Sequence, residues 1–159
     1  MTSIYLAGFD VFAPDAVQRG RQMKQLCAAQ GLVGLYPLDN EAVDAQAIFQ
    51  GNCALIDEAD WVIANVNPFR GAEPDSGTCF EVGYAFAKGK KIILYLDDGR
   101  TMRQKLGDAD ENGFAVEDFG LPVNLMLACA SIVVDGDFSA AVRRLKAELG
   151  IVGQTPVDS

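Results

Sequence analysis

Lys91-Ile92-Ile93-Leu94-Tyr95-Leu96 is a nearly continuous apolar run, and it decides the fold class of this chain. Strands that helices cover on both faces have unbroken apolar runs of this kind, whereas strands with one solvated face alternate apolar and polar residues. Other short runs with strand character occupy residues 3–7, 32–35, 61–66 and 131–134. The sequence therefore predicts five strands, at least one of them covered on both faces.

Helical patterns lie between these strands, at residues 14–30, 41–58, 77–88 and 138–149. Pro14 suits the first turn of a helix, and Gly31, Gly89 and Gly150 suit helix ends. Strands that alternate with helices predict a parallel sheet with helices on both faces. We expect a single α/β domain over residues 1–159, of the flavodoxin-like, doubly wound type, because this length supports one well-buried core.

Ligands of such sheets bind at the carboxyl ends of the strands, beside the point where the strand order reverses. That rule selects residues 8–12, residues 65–76 and the segment after Leu96 as candidate site segments. Residues 97–120 form a charged, glycine-bearing stretch that is long for a loop. This stretch is either a solvated loop or a lid or subunit contact.

The charge balance argues against nucleic acid and anionic membranes as partners. The chain has 13 basic and 22 acidic residues and a formal net charge of −9, so its surface would repel phosphate groups. The N-terminus has no basic segment followed by an apolar run, and no apolar segment approaches the length of about 20 residues that spans a bilayer. We therefore expect a cytoplasmic protein.

The absence of histidine restricts the chemistry. It excludes serine–histidine and cysteine–histidine mechanisms and leaves nucleophilic work to carboxylates, tyrosine, cysteine or lysine. The four cysteines include no CxxC pair, so we expect buried free thiols and no metal site. No dinucleotide- or ATP-binding motif is present, and no cofactor is expected.

Glu81 is the only charged residue between Thr78 and Ala87. A helix that is apolar all round is buried, and an unpaired buried carboxylate is costly. One interpretation is structural: Thr78-x-x-Glu81 has the spacing of a capping box, with Thr78 as N-cap. The other is catalytic, because a desolvated carboxylate near a helix N-terminus can attack an anomeric carbon. Spacing alone leaves both interpretations open.

Three polar residues are further candidates, two of them near predicted strand ends and one, Asn52, in an otherwise apolar patch of a predicted helix. Asp75 precedes the helix of Glu81, and two carboxylates in one pocket are typical of retaining glycoside chemistry, although Asp75 also suits a simple turn. Tyr5, near the end of the first strand, could hold the Glu81 carboxylate by a hydrogen bond, or could pack in the core. Asn52 could contact a nucleobase edge, since an amide both donates and accepts, or could face solvent.

Tyr5, Asp75 and Glu81 belong to motifs that together resemble the nucleoside 2-deoxyribosyltransferase family. The resemblance covers roughly residues 4–138, and its specificity lies in the order and spacing of the motifs. They are IYLAG at 4–8 with Phe12, YPLDN at 36–40, DWVIAN at 60–65, PFRG at 68–71, EPD at 73–75, GTCFEVGYA at 77–85 and GLPVNLML at 120–127. The compact length is similar to that of the short branch with protozoan members.

The resemblance implies a ping-pong transfer of 2-deoxyribose between a deoxynucleoside and a free nucleobase. Glu81 would attack C1′ and form a covalent deoxyribosyl-enzyme, and Tyr5 would orient Glu81. Asp75 would bind the sugar hydroxyls, particularly the 5′-hydroxyl. Substrate contacts would come from Gly8 and Phe12, and from Asn52, which occupies a base-contacting position where some members have aspartate.

The resemblance also implies a homo-oligomer whose site is shared between subunits. Asn124 and Met126 would be contributed to the site by a neighbouring subunit. The arrangement predicts small-molecule partners, a deoxynucleoside and a nucleobase, together with a second copy of the chain.

Two rival functions are compatible with parts of the sequence. A related hydrolase of deoxynucleosides or their 5′-monophosphates would use a similar glutamate. Asp75 would repel a phosphate, but Arg70 and Ser76 could bind one. A non-catalytic nucleotide-binding module of flavodoxin-like fold is the other rival. A signalling receiver is disfavoured because Asn65 and Asn67 stand where aspartate would be needed.

Overall fold

The computed structural model describes residues 1–152. It contains five strands, which are β1 Ser3–Ala7, β2 Val33–Leu35, β3 Trp61–Asn65, β4 Lys91–Leu96 and β5 Ile132–Asp135. Six α-helices accompany them, which are α1 Ala16–Ala29, α2 Ala45–Glu58, α3 Ser76–Ala87, α4 Met102–Leu106, α5 Leu125–Ala128 and α6 Phe138–Val152. Two short 3₁₀ turns lie at Phe9–Phe12 and Pro37–Asp39.

The five strands form one sheet in the order β2-β1-β3-β4-β5, and every neighbouring pair is parallel. This is the flavodoxin-like order, so the predicted fold class is confirmed. The chain moves outward from β1 to β2 and then returns to the other side of β1 to form β3. The strand order therefore reverses between β1 and β3, which is where the fold favours a ligand crevice.

Two apolar layers cover the sheet because side chains alternate along each strand. On one face Ile63 and Ile93 pack with Cys27 of α1 and Leu145 of α6. On the other face Tyr5, Val62 and Leu94 of the strands pack with Ile56 of α2 and Val82 of α3. Both layers explain the unbroken apolar run of β4. Truncating a core residue of this kind to alanine costs about 2–5 kcal/mol.

The predicted strands agree with the observed ones within one residue at each end, but several helix boundaries differ. Helix α1 begins at Ala16, so Pro14 lies before it rather than in its first turn. Helix α2 begins four residues later than predicted, because the side chain of Asp44 accepts a hydrogen bond from the Ala47 N–H at 2.9 Å and caps it. Gly150 does not end α6, which continues to Val152.

Residues 97–120 are more structured than a solvated loop. They contain α4, which begins with a capping box between Thr101 and Gln104. The guanidinium of Arg103 donates a hydrogen bond to the Val116 carbonyl at 2.9 Å and ties the end of the segment to α4. Within residues 1–152, no helix is long and apolar enough to cross a membrane.

Candidate active site

A cavity of about 370 Å³ opens beside the carboxyl end of β1, between the segments that follow β1 and β2 and the helices α2 and α3. Five of the predicted site residues line it, which are Gly8, Phe12, Asn52, Asp75 and Glu81. Its volume falls within the range of small-molecule sites, about 300–1,000 Å³. The fold therefore assembles residues from three distant segments of the sequence in one pocket.

Glu81 lies in the second turn of α3 and faces the end of β1. The Tyr5 hydroxyl donates a hydrogen bond to Glu81 Oε2. Tyr5 is fully buried, so its ring is fixed by the core beneath the cavity. The structure thus has the contact that the sequence analysis predicted for this pair.

Burial controls the protonation of this pair. Loss of water around Glu81 raises the pKa of its carboxyl to about 7; the Tyr5 hydrogen bond opposes this shift and the charge of Asp75 adds to it. Burial and the charge of Glu81 raise the pKa of Tyr5 above its ordinary range. Tyr5 therefore remains a hydrogen-bond donor at neutral pH, while Glu81 is poised between its acid and its anion.

Asp75 is the N-cap of α3, which corrects the capping box that the sequence suggested. Asp75 Oδ2 accepts hydrogen bonds from the backbone N–H and the hydroxyl of Thr78, at 3.0 and 2.8 Å. The helix therefore begins at Ser76, and Glu81 is too far into it to fold back onto Thr78. Asp75 Oδ1 accepts no hydrogen bond from residues 1–152, so one carboxylate oxygen is available to a ligand.

Asn52 is partly buried rather than on the open surface. Its Oδ1 atom is buried and has no hydrogen-bond partner in the described part of the chain. Leaving a buried amide oxygen unpaired costs about 1–3 kcal/mol. Because Asn52 lines the cavity, a ligand that donates a hydrogen bond there would remove this cost.

Gly8 occupies a position that a larger residue could not. Its φ is 155°, and an added Cβ would lie 2.8 Å from both the Asn65 Cβ and a carboxylate oxygen of Asp10. Asn65 donates a hydrogen bond to Asp10 at 3.1 Å, and Arg19 forms an ion pair with Asp10 at 3.2 Å. The sequence analysis missed this buried network, although an aspartate three residues after β1 and an asparagine ending β3 were visible signals.

Two aromatic rings of the cavity were missed by the sequence analysis, whereas that of Phe12 was predicted. Phe49 and Phe80 line it and form a tilted pair with ring centroids 5.6 Å apart. Phe12, Phe49 and Phe80 are each about half exposed, at 57%, 49% and 50%. Exposed rings at a cavity mouth provide stacking surfaces for a planar ligand. The signal in the sequence was Phe80, an aromatic residue directly before Glu81 in the predicted helix.

Asn124 and Met126 do not reach this cavity within one chain. They line a separate, largely apolar cavity of about 660 Å³ with residues of α3, among them Cys79, Gly83 and Phe86. Asn124 caps α5 by accepting a hydrogen bond from the Met126 N–H at 2.9 Å, and Met126 is 74% exposed. One chain therefore does not unite all of the predicted site residues.

The nucleophilic and ligating groups of the cavity are carboxylates, a tyrosine and a cysteine. No cluster of three or more potential metal ligands occurs in residues 1–152. The cysteines are unpaired, but the expectation of buried thiols is confirmed for Cys27 alone among them. Cys53 and Cys79 are partly buried, and Cys129, which follows the last residue of the short helix α5, is exposed. The cavity can therefore support attack by a carboxylate on a bound sugar.

Comparison with known proteins identifies the family of this chain. A model of the nucleoside 2-deoxyribosyltransferase family matches residues 4–126. An uncharacterised protein of Schizosaccharomyces pombe is 34% identical over 113 residues, covering 65% of this chain and 54% of that protein. The chain thus spans about half the length of this curated relative.

Solved structures extend the comparison. A 2-deoxyribosyltransferase of Leishmania mexicana superposes with a TM-score of 0.83 at 39% identity, covering 92% of this chain and 98% of the other. A CMP N-glycosidase of Clostridium botulinum has a TM-score of 0.51 at 19% identity, covering 92% and 99%, and shows the shared fold alone. With a family match over most of its length, the chain belongs to the nucleoside 2-deoxyribosyltransferase family.

Proposed function

We propose that this protein transfers the 2-deoxyribosyl group between nucleobases through a covalent intermediate on Glu81. The observation that carries the proposal is the partly buried Glu81 carboxylate, held by the Tyr5 hydroxyl at the base of a ligand-sized cavity. Family membership supplies the chemical class, and the cavity supplies a nucleophile with a fixed orientation.

In the first half-reaction, a carboxylate oxygen of Glu81 forms a bond with C1′ of the deoxynucleoside. The C1′–N bond breaks, its electron pair goes to the base nitrogen, and the base takes up a proton and leaves. A second base then attacks C1′, loses a proton, and releases the carboxylate of Glu81. A 2-deoxy sugar favours this route, because no 2′-hydroxyl withdraws electrons from the developing oxocarbenium ion.

The remaining cavity residues fit the two ends of the substrate. Asp75 Oδ1, which is free of protein hydrogen bonds in the described chain, would accept one from the 5′-hydroxyl. Asn52 would pair its buried amide oxygen with a donor on the base. Gly8 and Phe12 would form the wall beside the sugar and base.

The site would be completed by a second copy of the chain. Asn124 and Met126 lie apart from the Glu81 cavity, on a surface that also exposes Phe86. We place these two residues in the partner's site, so that each active site of a homo-oligomer combines Glu81 of one subunit with Asn124 of the other. The expected setting is nucleoside salvage in the cytoplasm.

Base exchange tests the function directly. The purified chain is mixed with a 2′-deoxynucleoside and a different free base, and the products are separated chromatographically. A new deoxynucleoside is expected, and its formation should show ping-pong kinetics. Failure to form one with any pair of purine or pyrimidine bases would refute the transferase.

Hydrolysis is a second candidate, and the exposure of the cavity rim favours it. Because Phe12, Phe49 and Phe80 are about half exposed, water can reach the pocket in a single chain. Water could then replace the acceptor base and release free deoxyribose. The same assay distinguishes hydrolysis from transfer, since hydrolysis gives free base without a new nucleoside. Deoxynucleoside 5′-monophosphates, added in place of the nucleoside, test whether nucleotides are substrates.

A further inference from the structure

Arg70 has the only positive φ of any non-glycine residue in residues 1–152, at 53°. Such a conformation is uncommon for a long side chain, and it persists only where the surroundings enforce it. Strained residues of this kind concentrate at ligand sites. Arg70 lies in the loop after β3, beside the reversal point of the sheet.

The side chain of Arg70 rests on two aromatic rings. Its guanidinium carbon lies 4.4 Å from the ring centroid of Phe69 and 5.2 Å from that of Phe12. It forms no salt bridge or hydrogen bond with residues 1–152. The cation–π contacts with these two rings are therefore the side-chain interactions of Arg70 within the described chain.

The rings beneath Arg70 connect the loops of two strands. Phe69, after β3, stacks on Phe9 and on Phe12, both after β1, with centroids 5.0 and 5.5 Å apart and planes within 6° and 14° of parallel. The stack therefore spans the crevice between β1 and β3. Phe12 is the member of this stack that lines the Glu81 cavity.

We propose that Arg70 is a positioning residue for substrate binding, acting through Phe12. Its guanidinium holds the half-exposed ring of Phe12 against Phe69, so that the ring is fixed as a wall of the cavity before the substrate arrives. Pre-ordering a side chain lowers the entropy cost of binding. The strained backbone of Arg70 is what places the guanidinium there. This inference rests on the proposed function, because it assumes that the deoxynucleoside occupies this cavity.

Arg70→Asn tests the proposal, since asparagine tolerates the left-handed backbone but lacks the guanidinium. KM for the deoxynucleoside should rise about five- to tenfold and kcat should change less than about twofold, as expected when binding rather than chemistry is lost. The melting temperature should not fall, because the relief of backbone strain by asparagine offsets the loss of the cation–π contacts. Arg70→Lys, which keeps the cation, should restore part of the affinity. An unchanged KM in Arg70→Asn would overturn the proposal.

A double-mutant cycle tests whether Arg70 affects substrate binding through the ring of Phe12. In a Phe12→Leu background, Arg70→Asn should have no further effect on KM, because its effect passes through the ring. Additive effects would mean that Arg70 contacts the substrate itself, and would overturn the positioning role. Arg100→Asn is the matched control, an exposed loop arginine that forms an ion pair with Asp98, and it should leave KM unchanged.

The assay separates this inference from the proposed function. Calorimetric binding of a 2′-deoxynucleoside to the Glu81→Gln protein, with and without Arg70→Asn, measures affinity without turnover. If that affinity depends on Arg70 while the wild-type chain exchanges no bases, the transferase fails and the positioning role holds. If bases are exchanged but affinity is independent of Arg70, only the positioning role fails.

Discussion

The hydroxyl of Tyr5 donates a hydrogen bond to the carboxylate of Glu81, across 76 residues of sequence. The bond joins the first strand to α3 at the floor of the cavity. Its effect on the carboxyl opposes that of burial, since the hydrogen bond stabilises the anion that desolvation disfavours. Orientation and ionisation of the proposed nucleophile therefore depend on one phenol.

Glu81→Ala should abolish base exchange, leaving less than about one part in a hundred of the wild-type rate. The fold should persist, because removing a desolvated carboxylate leaves no uncompensated charge in the core. Circular dichroism and a thermal melt check folding, and initial-rate assays check activity. A folded variant that keeps more than this residual rate would contradict the nucleophile assignment.

The pH dependence of kcat/KM should follow the ionisation of Glu81. Because only the carboxylate attacks, and burial raises its pKa to about 7, activity should be low near pH 5.5 and rise to a plateau above about pH 8. The measurement is a pH–rate profile with a non-interacting buffer series. A profile already flat from pH 5 upward would mean that the working carboxyl has an ordinary pKa.

Tyr5→Phe should move this profile to higher pH. The hydrogen bond from Tyr5 lowers the pKa of Glu81, so its removal allows burial to raise that pKa further. The plateau rate should also fall about tenfold or more, since the carboxylate loses its orientation. Phenylalanine preserves the core packing of the ring, which isolates the hydroxyl. A midpoint that shifts to lower pH would contradict the assigned contact.

Stability should depend on pH through the same group. Burial raises the pKa of Glu81 in the folded protein to about 7, above the ordinary value of 4.5 that applies to the unfolded chain. The folded state therefore binds the proton more tightly, and this stabilising contribution is full below about pH 4.5 and is lost as pH rises through about 7. The loss is on the order of 2–3 kcal/mol. Urea unfolding at pH 5 and pH 8 should show it in the wild type, and Glu81→Gln should lack it.

The sequence predicted the sheet well because strand positions depend on local apolar runs, as at Lys91–Leu96. Helix starts were harder, since several neighbouring polar residues can cap: Asp75 caps α3, although Thr78 had equally suitable spacing with Glu81. Strand-end rules left two interpretations of Tyr5 open, a hydrogen bond to Glu81 and core packing, and the structure has both. The stack of Phe12, Phe69 and Arg70 was not, because it depends on the paths of two loops in three dimensions.

Asp75→Asn should separate the two roles of this residue. Asparagine caps helices as well as aspartate does, so α3 and the melting temperature should be preserved, whereas Asp75→Ala should lose about 1 kcal/mol. If Asp75 binds the 5′-hydroxyl, Asp75→Asn should lower kcat/KM for deoxynucleosides far more than for their 5′-deoxy analogues. Steady-state kinetics with both substrates measures the ratio. Equal losses for the two would argue that Asp75 only caps the helix.

Mixed oligomers test whether Asn124 serves the partner's site. Asn124→Asp keeps the oxygen that caps α5 but removes the amide, and Glu81→Ala removes the nucleophile; each variant alone should be nearly inactive. In a mixed dimer, one site would combine Glu81 of one subunit with Asn124 of the other. After random reassembly of equal amounts, about half of the dimers are mixed and half of their sites intact, so about a quarter of wild-type activity should return.

The measurement uses unfolding and refolding of the two variants together, followed by the exchange assay. Refolding each variant separately and then mixing them briefly is the control, because subunits that have not exchanged cannot complement. Size-exclusion chromatography with light scattering gives the assembly state in both samples. If the co-refolded mixture forms oligomers but is no more active than the separate variants, Asn124 acts within its own chain, and the cavity it lines beside Phe86 is unrelated to the partner's site.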